Sequence, residues 1–543
     1  MFFSKTPQPV NPPSPPPPPS WAEAVQTTLA EELGNSGGNP DSLLYFPGSP
    51  EFADSETGFH TAQANEVRSA AVARPTSTAD VSALVKALRR SLPPTTPLAV
   101  RGGGHATYAG AAKAAGGVTI DTRGVRGIEI LEGGTRVRIA AGHRWRDVYA
   151  ALEAHDPPLT TAGGRAAQVG VVGFLLGGGI SFFSNQHGFG ADLVTAWEVV
   201  LASGRVVRAT APSSGKGGKG NSSGAGDDDT EDLWDALRGG STNFGIVTAV
   251  EMECFPHPKH FRCAYMFYFT PARQSTLEAL VKLSRRPFVA TPAEGQTEPV
   301  VDHVIWSISH VPYVPVKVIA VSSSSTGATS QGDLSEFVTP WSRIPGTPTP
   351  REVKHSAYAK EVGDLACKDG SRNAYKSISV KLDLGLLNTI VEMWYDLVRA
   401  TRHRAGYMST LAFVPVPACV IEASCARQSG SQGGTNFFGL RPEDGPLVIV
   451  EICHNWHNAA DDPAAFEAVD AFLRDVDRVA TERGLGCRWV FPNYAEPNEK
   501  VIQAYGDDRL SQLKRVASRW DPDGFFQKRV VGGFKIEESC NRG

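Results

Sequence analysis

Between Ala70 and Arg101 the apolar positions change their period twice. Ala70-Ala71-Val72-Ala73-Arg74-Pro75 is a short apolar run closed by proline, the texture of a buried strand. Thr76-Ser77-Thr78-Ala79-Asp80 then supplies N-cap chemistry, and Val81, Leu84, Val85 and Leu88 recur at helical spacing. A second apolar run, Pro97-Leu98-Ala99-Val100, predicts another strand. Strand, helix and strand form a βαβ-like unit, and its second strand runs directly into Arg101-Gly102-Gly103-Gly104-His105. Further strands are expected at 118–121, 137–142 and 197–202, and a helix from Trp145 to Leu152.

From about His257 to Gly484 the texture changes to strands alternating with helices. Asn388 to Arg399 is amphipathic, Leu447 to Cys453 reads as a strand, and Ala464 to Ala480 reads as a helix. This predicts an antiparallel sheet backed by helices. Alternation along the strand places Glu451, Cys453 and Asn455 on one face and Ile452, His454 and Trp456 on the other, without saying which face meets a ligand. His454 and His457 have HxxH spacing but no third ligand in view, so pocket lining or plain surface is the reading and no metal is expected. After Gly484, Phe491-Pro492-Asn493-Tyr494-Ala495-Glu496 precedes a helix running through Leu510 to Ser518.

Length changes the picture, because 543 residues exceed what one hydrophobic core usually serves and imply at least two domains. A net charge of −4 gives no reason to expect nucleic acid or an anionic membrane. No apolar run approaches the roughly 18 residues of a membrane span. The eight cysteines contain no CxxC pair, which argues against a zinc site or a dense disulfide framework. Residues 1–20 read as a disordered Pro-rich tail lacking the apolar region of a signal peptide, and an intracellular location is the expectation. Residues 211–230 read as a flexible surface insert. Within it, Gly215 to Gly220 formally matches GxGxxG, but no helix opens from it. Asn221-Ser222-Ser223 is a glycosylation sequon that matters only on export.

The candidate chemistry lies in the glycines. Three consecutive glycines remove every Cβ from a turn, so backbone N–H groups can approach an anion, and Arg101 beside them could pair with a phosphate. His105 would sit where a cofactor's reactive end meets its diphosphate. Nine more glycines fall between Gly163 and Gly190, including Gly170, Gly173, Gly177 and Gly178, and the run ends in His187-Gly188-Phe189-Gly190-Ala191-Asp192. Leu237-Arg238-Gly239-Gly240-Ser241-Thr242-Asn243-Phe244-Gly245-Ile246 follows. This ordered set resembles the FAD domain shared by berberine bridge enzyme, vanillyl-alcohol oxidase and p-cresol methylhydroxylase (PCMH), and the texture near the end is similar to fungal FAD-linked oxidoreductases of specialised metabolism.

The resemblance implies an α+β fold, a two-part PCMH-type FAD-binding domain with an inserted α+β substrate domain. The segments would be a lead-in at 21–63, the FAD domain at 64–255, the substrate domain at 256–486, and a C-terminal return at 487–543. It implies FAD held by Arg101, Gly102, Gly103, Gly104, His105, Ala106, Gly170, Gly173, Gly177, Gly178, Asn243, Gly245, Ile246 and Asn493. His105 matches the histidine joined to the flavin 8α-methyl. The position of a second, cysteinyl bond is Ala166, so a single covalent link is expected. Tyr494 matches a tyrosine above the ring and would be the base, or else a tyrosine buried at the domain interface. His187 falls where relatives carry another active-site tyrosine, as base, donor or structural histidine. Tyr108 is a weaker candidate. The implied activity is oxidation of a small organic metabolite at an alcohol, phenol or related group, with hydride transfer to flavin N5 and oxygen as final acceptor. A sugar or simple alcohol oxidase of the same fold, or a non-redox flavin-binding protein, are the alternatives.

Overall fold

The computed structural model describes residues 16–34, 42–212, 229–258, 261–286, 302–311, 317–326, 344–345, 350–366, 370–428 and 434–537. Most of the Pro-rich tail lies outside the described residues, as does the centre of the 211–230 insert with Gly215 to Gly220 and Asn221.

The βαβ-like unit is present and faces the glycine turn. Strands β2 (Ala71–Ala73) and β3 (Leu98–Arg101) each pair in parallel with β4 (Val118–Asp121), and β1 (Leu44–Tyr45) adds an antiparallel edge, in the order β1-β2-β4-β3. The helix Thr78–Ser91 crosses between β2 and β3. It starts where the hydroxyl and carboxylate chemistry dictates: Asp80 N–H donates to Ser77 Oγ at 3.1 Å, and Ser77 N–H donates to Asp80 Oδ2 at 3.0 Å. Its buried face, Val81, Leu84, Val85 and Leu88, packs with Val25, Leu29 and Leu33 of the helix Ala22–Leu33. The lead-in is therefore part of this first core.

A second sheet is wholly antiparallel, with β5 (Ile128–Leu131), β6 (Arg136–Ala140), β7 (Val194–Val200), β8 (Val206–Thr210) and β9 (Ile246–Glu253) in the order β5-β6-β9-β7-β8. The third sheet comprises β10 (Phe261–Phe269), β11 (Asp302–His310), β12 (Val318–Thr326), β13 (Arg372–Lys381), β14 (Met408–Val416) and β15 (Leu447–Trp456). Their order is β10-β12-β11-β14-β15-β13, with Arg351–Glu352 at the outer edge of β10.

The two faces of the third sheet do different work. Val304, Trp306 and Ile308 of β11 and Ile452 and Trp456 of β15 are buried against the helices Arg273–Ser284, Leu384–Thr401 and Asp462–Glu482. Alternate residues, among them Ile305 of β11 and Leu447 and Ile449 of β15, join the core that holds the glycine-rich segments instead. Glu451 and Cys453 therefore lie on the face turned toward those segments, which the alternation alone left open.

After residue 486 the chain returns. Val530 bridges in parallel to Leu98 of β3, and Val531 N–H donates to Leu98 O at 2.8 Å. Arg509 of the helix Asp507–Trp520 pairs with Asp235 and donates to Phe437 O at 3.0 Å. Among the described residues no helix is long and apolar enough to cross a membrane.

Candidate functional site

The first glycine turn is shaped by a second one. An added Cβ on Gly103 would lie 2.5 Å from Gly170 N, and one on Gly170 would lie 2.5 Å from Gly103 N. The two backbones are in direct contact, which only glycine at both positions permits. Gly104 adopts φ +69, the left-handed region, and so turns the chain toward His105. On the other side nothing lies within 4 Å of a Cβ built on Gly102 or on Gly173. Gly170 also caps the short helix Val171–Leu176. The result is a cradle with bare backbone on its open side, and Arg144 steadies it by donating from Nη2 to Gly103 O at 2.8 Å.

His105 is placed by a residue that sequence reasoning missed. The His60 ring stacks on it with centroids 4.2 Å apart and planes 15° from parallel. His60 is anchored in turn: its N–H donates to Gly104 O at 2.9 Å, and its carbonyl accepts from Gly370 N–H at 2.7 Å. Ala106 follows, half-buried, and Tyr108 packs toward Phe534 with centroids 6.4 Å apart.

Several residues expected at the cofactor are engaged by the protein itself. Arg101 is wholly buried, with Nη1 donating to Ser55 O at 2.5 Å and Nη2 to Thr57 O at 2.7 Å. Its guanidinium lies over the Phe59 ring at 3.9 Å and beside Asp121. It faces inward from β3, engaged by the protein's own carbonyls. Burial also pushes its pKa down to about 10 against the pull of Asp121. Gly177 makes room for the Asn493 amide, 2.5 Å from the added Cβ, and Gly178 makes room for the Phe438 ring at 2.3 Å. Both serve close packing of protein on protein. The Asn243 amide is buried, donating to Gly240 O at 2.7 Å and Phe534 O at 2.8 Å and accepting from Gln527 Nε2 at 2.5 Å. It ties its turn to the C-terminal return. Gly245 lies against Val199 and Val200, and Ile246 opens β9.

Asn493 fixes the returning turn on the glycine loops. Its Oδ1 accepts from Gly179 N–H at 3.0 Å and its Nδ2 donates to Phe174 O at 3.1 Å. Tyr494 follows, and its hydroxyl oxygen accepts from Arg165 Nη2 at 2.6 Å. Arg165 Nη1 reaches His303 Nε2 on β11 at 3.0 Å. The Tyr375 ring meets Tyr494 edge-on at 5.7 Å, and Tyr375 donates to Glu451 Oε1 at 2.5 Å. Three parts of the chain thus converge: the glycine loop through Arg165, the third sheet through His303, Tyr375 and Glu451, and the C-terminal return through Tyr494.

Charge in this cluster follows from burial. Desolvation, reinforced by the Arg165 charge, holds the His303 imidazole well below its usual range, so the ring is neutral. A guanidinium only donates, so Nε2 of His303 accepts and the ring proton sits on Nδ1. Burial pushes the Glu451 carboxyl upward, although the Tyr375 hydrogen bond and Arg165 pull the other way.

His187 is not brought into this cluster. Its ring stacks on Phe255 at 4.4 Å, and burial, with Arg427 adding repulsion, pushes it down to about 4. The neutral imidazole is packed on phenylalanine, away from Tyr494 and Arg165. Among the described residues no three His, Cys, Asp or Glu side chains are placed to hold a metal ion.

The cradle fits FAD: paired glycine turns, a helix start, and open space at Gly102 and Gly173 where a Cβ would otherwise intrude. Residues 69–210 match the family model described as an FAD binding domain. The chain is 28% identical over 526 residues to the FAD-dependent monooxygenase tpcD of Cochliobolus heterostrophus, covering 94% of this chain and 92% of the relative. It is 27% identical to the FAD-dependent monooxygenase FUP4 of Fusarium proliferatum, covering 81% and 80%. The fold is that of 6-hydroxy-D-nicotine oxidase from Arthrobacter nicotinovorans, with a TM-score of 0.68 at 20% identity over 91% of this chain and 97% of that one. Glucooligosaccharide oxidase from Acremonium strictum, whose FAD is 6-S-cysteinyl and 8α-N1-histidyl, gives 0.69 at 18% identity over 95% and 99%.

Proposed function

We propose that this chain, whose residues 69–210 match an FAD binding domain, is an FAD-linked oxidoreductase that oxidises a small organic metabolite at an alcohol, phenol or related group, with Tyr494 receiving the proton. One observation carries this: the Tyr494 oxygen lies 2.6 Å from the Arg165 guanidinium, on a turn locked to Gly179 and Phe174 by Asn493.

When bound, FAD supplies the two-electron acceptor for the substrate C–H. It would be held by the Gly102–Gly104 turn and the Gly170–Gly173 helix start, with His105 as the attachment point. Ala166 offers no sulfur, so His105 carries the only bond available from this part of the chain. The guanidinium occupies one lone pair of the Tyr494 oxygen and favours negative charge there, which suits a group that takes a proton at that atom. His303 remains neutral and keeps Arg165 in place. The relatives are named monooxygenases and the solved structures oxidases, which supports oxygen as the second substrate.

The test is Tyr494→Phe in the FAD-loaded enzyme, with substrates screened by flavin bleaching. The anaerobic bleaching rate is expected to fall by roughly 10²–10⁴-fold, the weight of general-base catalysis, with FAD still bound. A wild-type rate would leave Tyr494 a packing role only. Peroxide yield and oxygen incorporation in the product then separate oxidase from monooxygenase chemistry.

A further inference from the structure

Arg165 is a buried cation without a carboxylate counter-ion among the described residues. It is 8% exposed. Its partners are the neutral His303 imidazole and the Tyr494 oxygen, and among the described residues no carboxylate forms an ion pair with it. Other buried arginines are compensated. Arg101 faces Asp121, Arg238 faces Asp192 and Asp235, Arg372 faces Asp462, and Arg509 faces Asp235. Arg529 instead takes the carbonyls of Leu88, Pro93 and Thr96 at a helix end, where the dipole is negative. Arg165 has neither arrangement.

The acid that feels the Arg165 charge, Glu451, does not fill the role. Glu451 sits beneath Tyr375, whose hydroxyl donates to it, and desolvation outweighs the attraction of Arg165, so the carboxyl is held toward its neutral form. Burying a charge without a partner is costly, and proteins keep such groups where a ligand completes them. The position is also specific. The guanidinium is held from two sides, by a sheet strand and by the returning turn, next to the tyrosine at which the proton is received. An arginine fixed in this way presents its charge without further side-chain ordering.

We propose that Arg165 determines substrate specificity by pairing with an anionic oxygen on the substrate, a carboxylate or an ionised phenol or enol, next to the group oxidised beside Tyr494. This rests on the reading of Tyr494 as the residue at the reacting carbon. The substrate is then a small acid or acidic phenol, not an extended neutral carbohydrate.

The experiment is calorimetric titration of the FAD-loaded protein with benzoate, with 4-nitrophenolate at a pH where it is ionised, and with benzamide as the uncharged counterpart of benzoate. At least one anion is expected to bind about tenfold or more tightly than benzamide, and which of the two wins distinguishes a carboxylate from a phenolate site. Arg165→Gln should abolish the preference and Arg165→Lys should keep part of it. Equal binding of all three probes to the wild type overturns the proposal. So does a preference that persists in Arg165→Gln with FAD and circular dichroism unchanged. If Arg165→Gln fails to fold, the wild-type ranking and the Lys variant decide. Tyr494→Phe separates the two readings, because it should keep the anion preference while slowing turnover.

Discussion

The reactive groups here are set by what each side chain touches, not by its neighbours in sequence. His105 follows three glycines, but its orientation comes from His60, stacked 4.2 Å above it and bonded at both its N–H and its carbonyl. A stacked ring of like kind limits rotation of the histidine about its own bonds. That is the geometry a nucleophilic imidazole needs for a single covalent link. Acid-precipitated protein is therefore expected to stay yellow and to fluoresce on a denaturing gel. His105→Ala should release all flavin on denaturation while native protein still holds FAD loosely. Complete loss of flavin from denatured wild type would show that the fold binds FAD without a link through His105.

At the scale of elements, the two glycine turns form one device. Gly103 and Gly170 touch backbone to backbone, whereas Gly102 and Gly173 face open space. Alanine at these positions should separate packing from binding. Gly103→Ala forces the turns apart and should cost about 1–3 kcal/mol of stability, read as a lower Tm. Gly102→Ala should leave the Tm of the FAD-free protein unchanged yet weaken flavin retention, because its methyl occupies the open side. A Gly102 variant that retains flavin at the wild-type level would place the cofactor elsewhere. The turns themselves were legible in sequence, as were the periodic elements: the helix expected over 388–399 is Leu384–Thr401, and that over 464–480 is Asp462–Glu482. Less legible was direction. Proximity to glycines suggested that Arg101 reaches a phosphate, yet it points into the core, because nothing in a single sequence says to which side of a strand end a side chain turns. Arg165, His303, Tyr375 and Glu451 stand far apart in the chain, and only the antiparallel order of the third sheet and the returning turn brings them to Tyr494.

Across the whole molecule, buried titrating groups set how stability answers to pH. Burial pushes His187 down to about 4, His355 and His454 to about 3, and His303 well below its usual range. Each is neutral when folded and takes a proton when unfolded, so each removes stability as pH falls below the ordinary histidine value of 6.5. Acids raised by burial act oppositely. Burial pushes Asp192 up to about 6 and Glu496 and Glu499 up to about 7, so the folded state binds protons more tightly and gains stability as pH falls through that range. From pH about 7 to 4.5 the two sets offset one another, and the stability curve should be shallow. Below that the raised acids approach protonation in both states, while the histidines and the low-lying carboxylates Asp121, Asp147, Glu198 and Asp235, the last held at about 2 by Arg509 and Arg238, continue to titrate. All of these now act in one direction, so unfolding should set in steeply between pH about 4.5 and 3. His454 is the cleanest probe, since both ring nitrogens are buried without a hydrogen-bond partner and it lies on the sheet face away from the cradle. His454→Leu should lower the slope of unfolding free energy against pH by about 1.4 kcal/mol per pH unit between those limits, leaving flavin content unchanged. Denaturant melts across that range would measure it, and a slope equal to that of the wild type would mean that His454 already carries a proton in the folded protein.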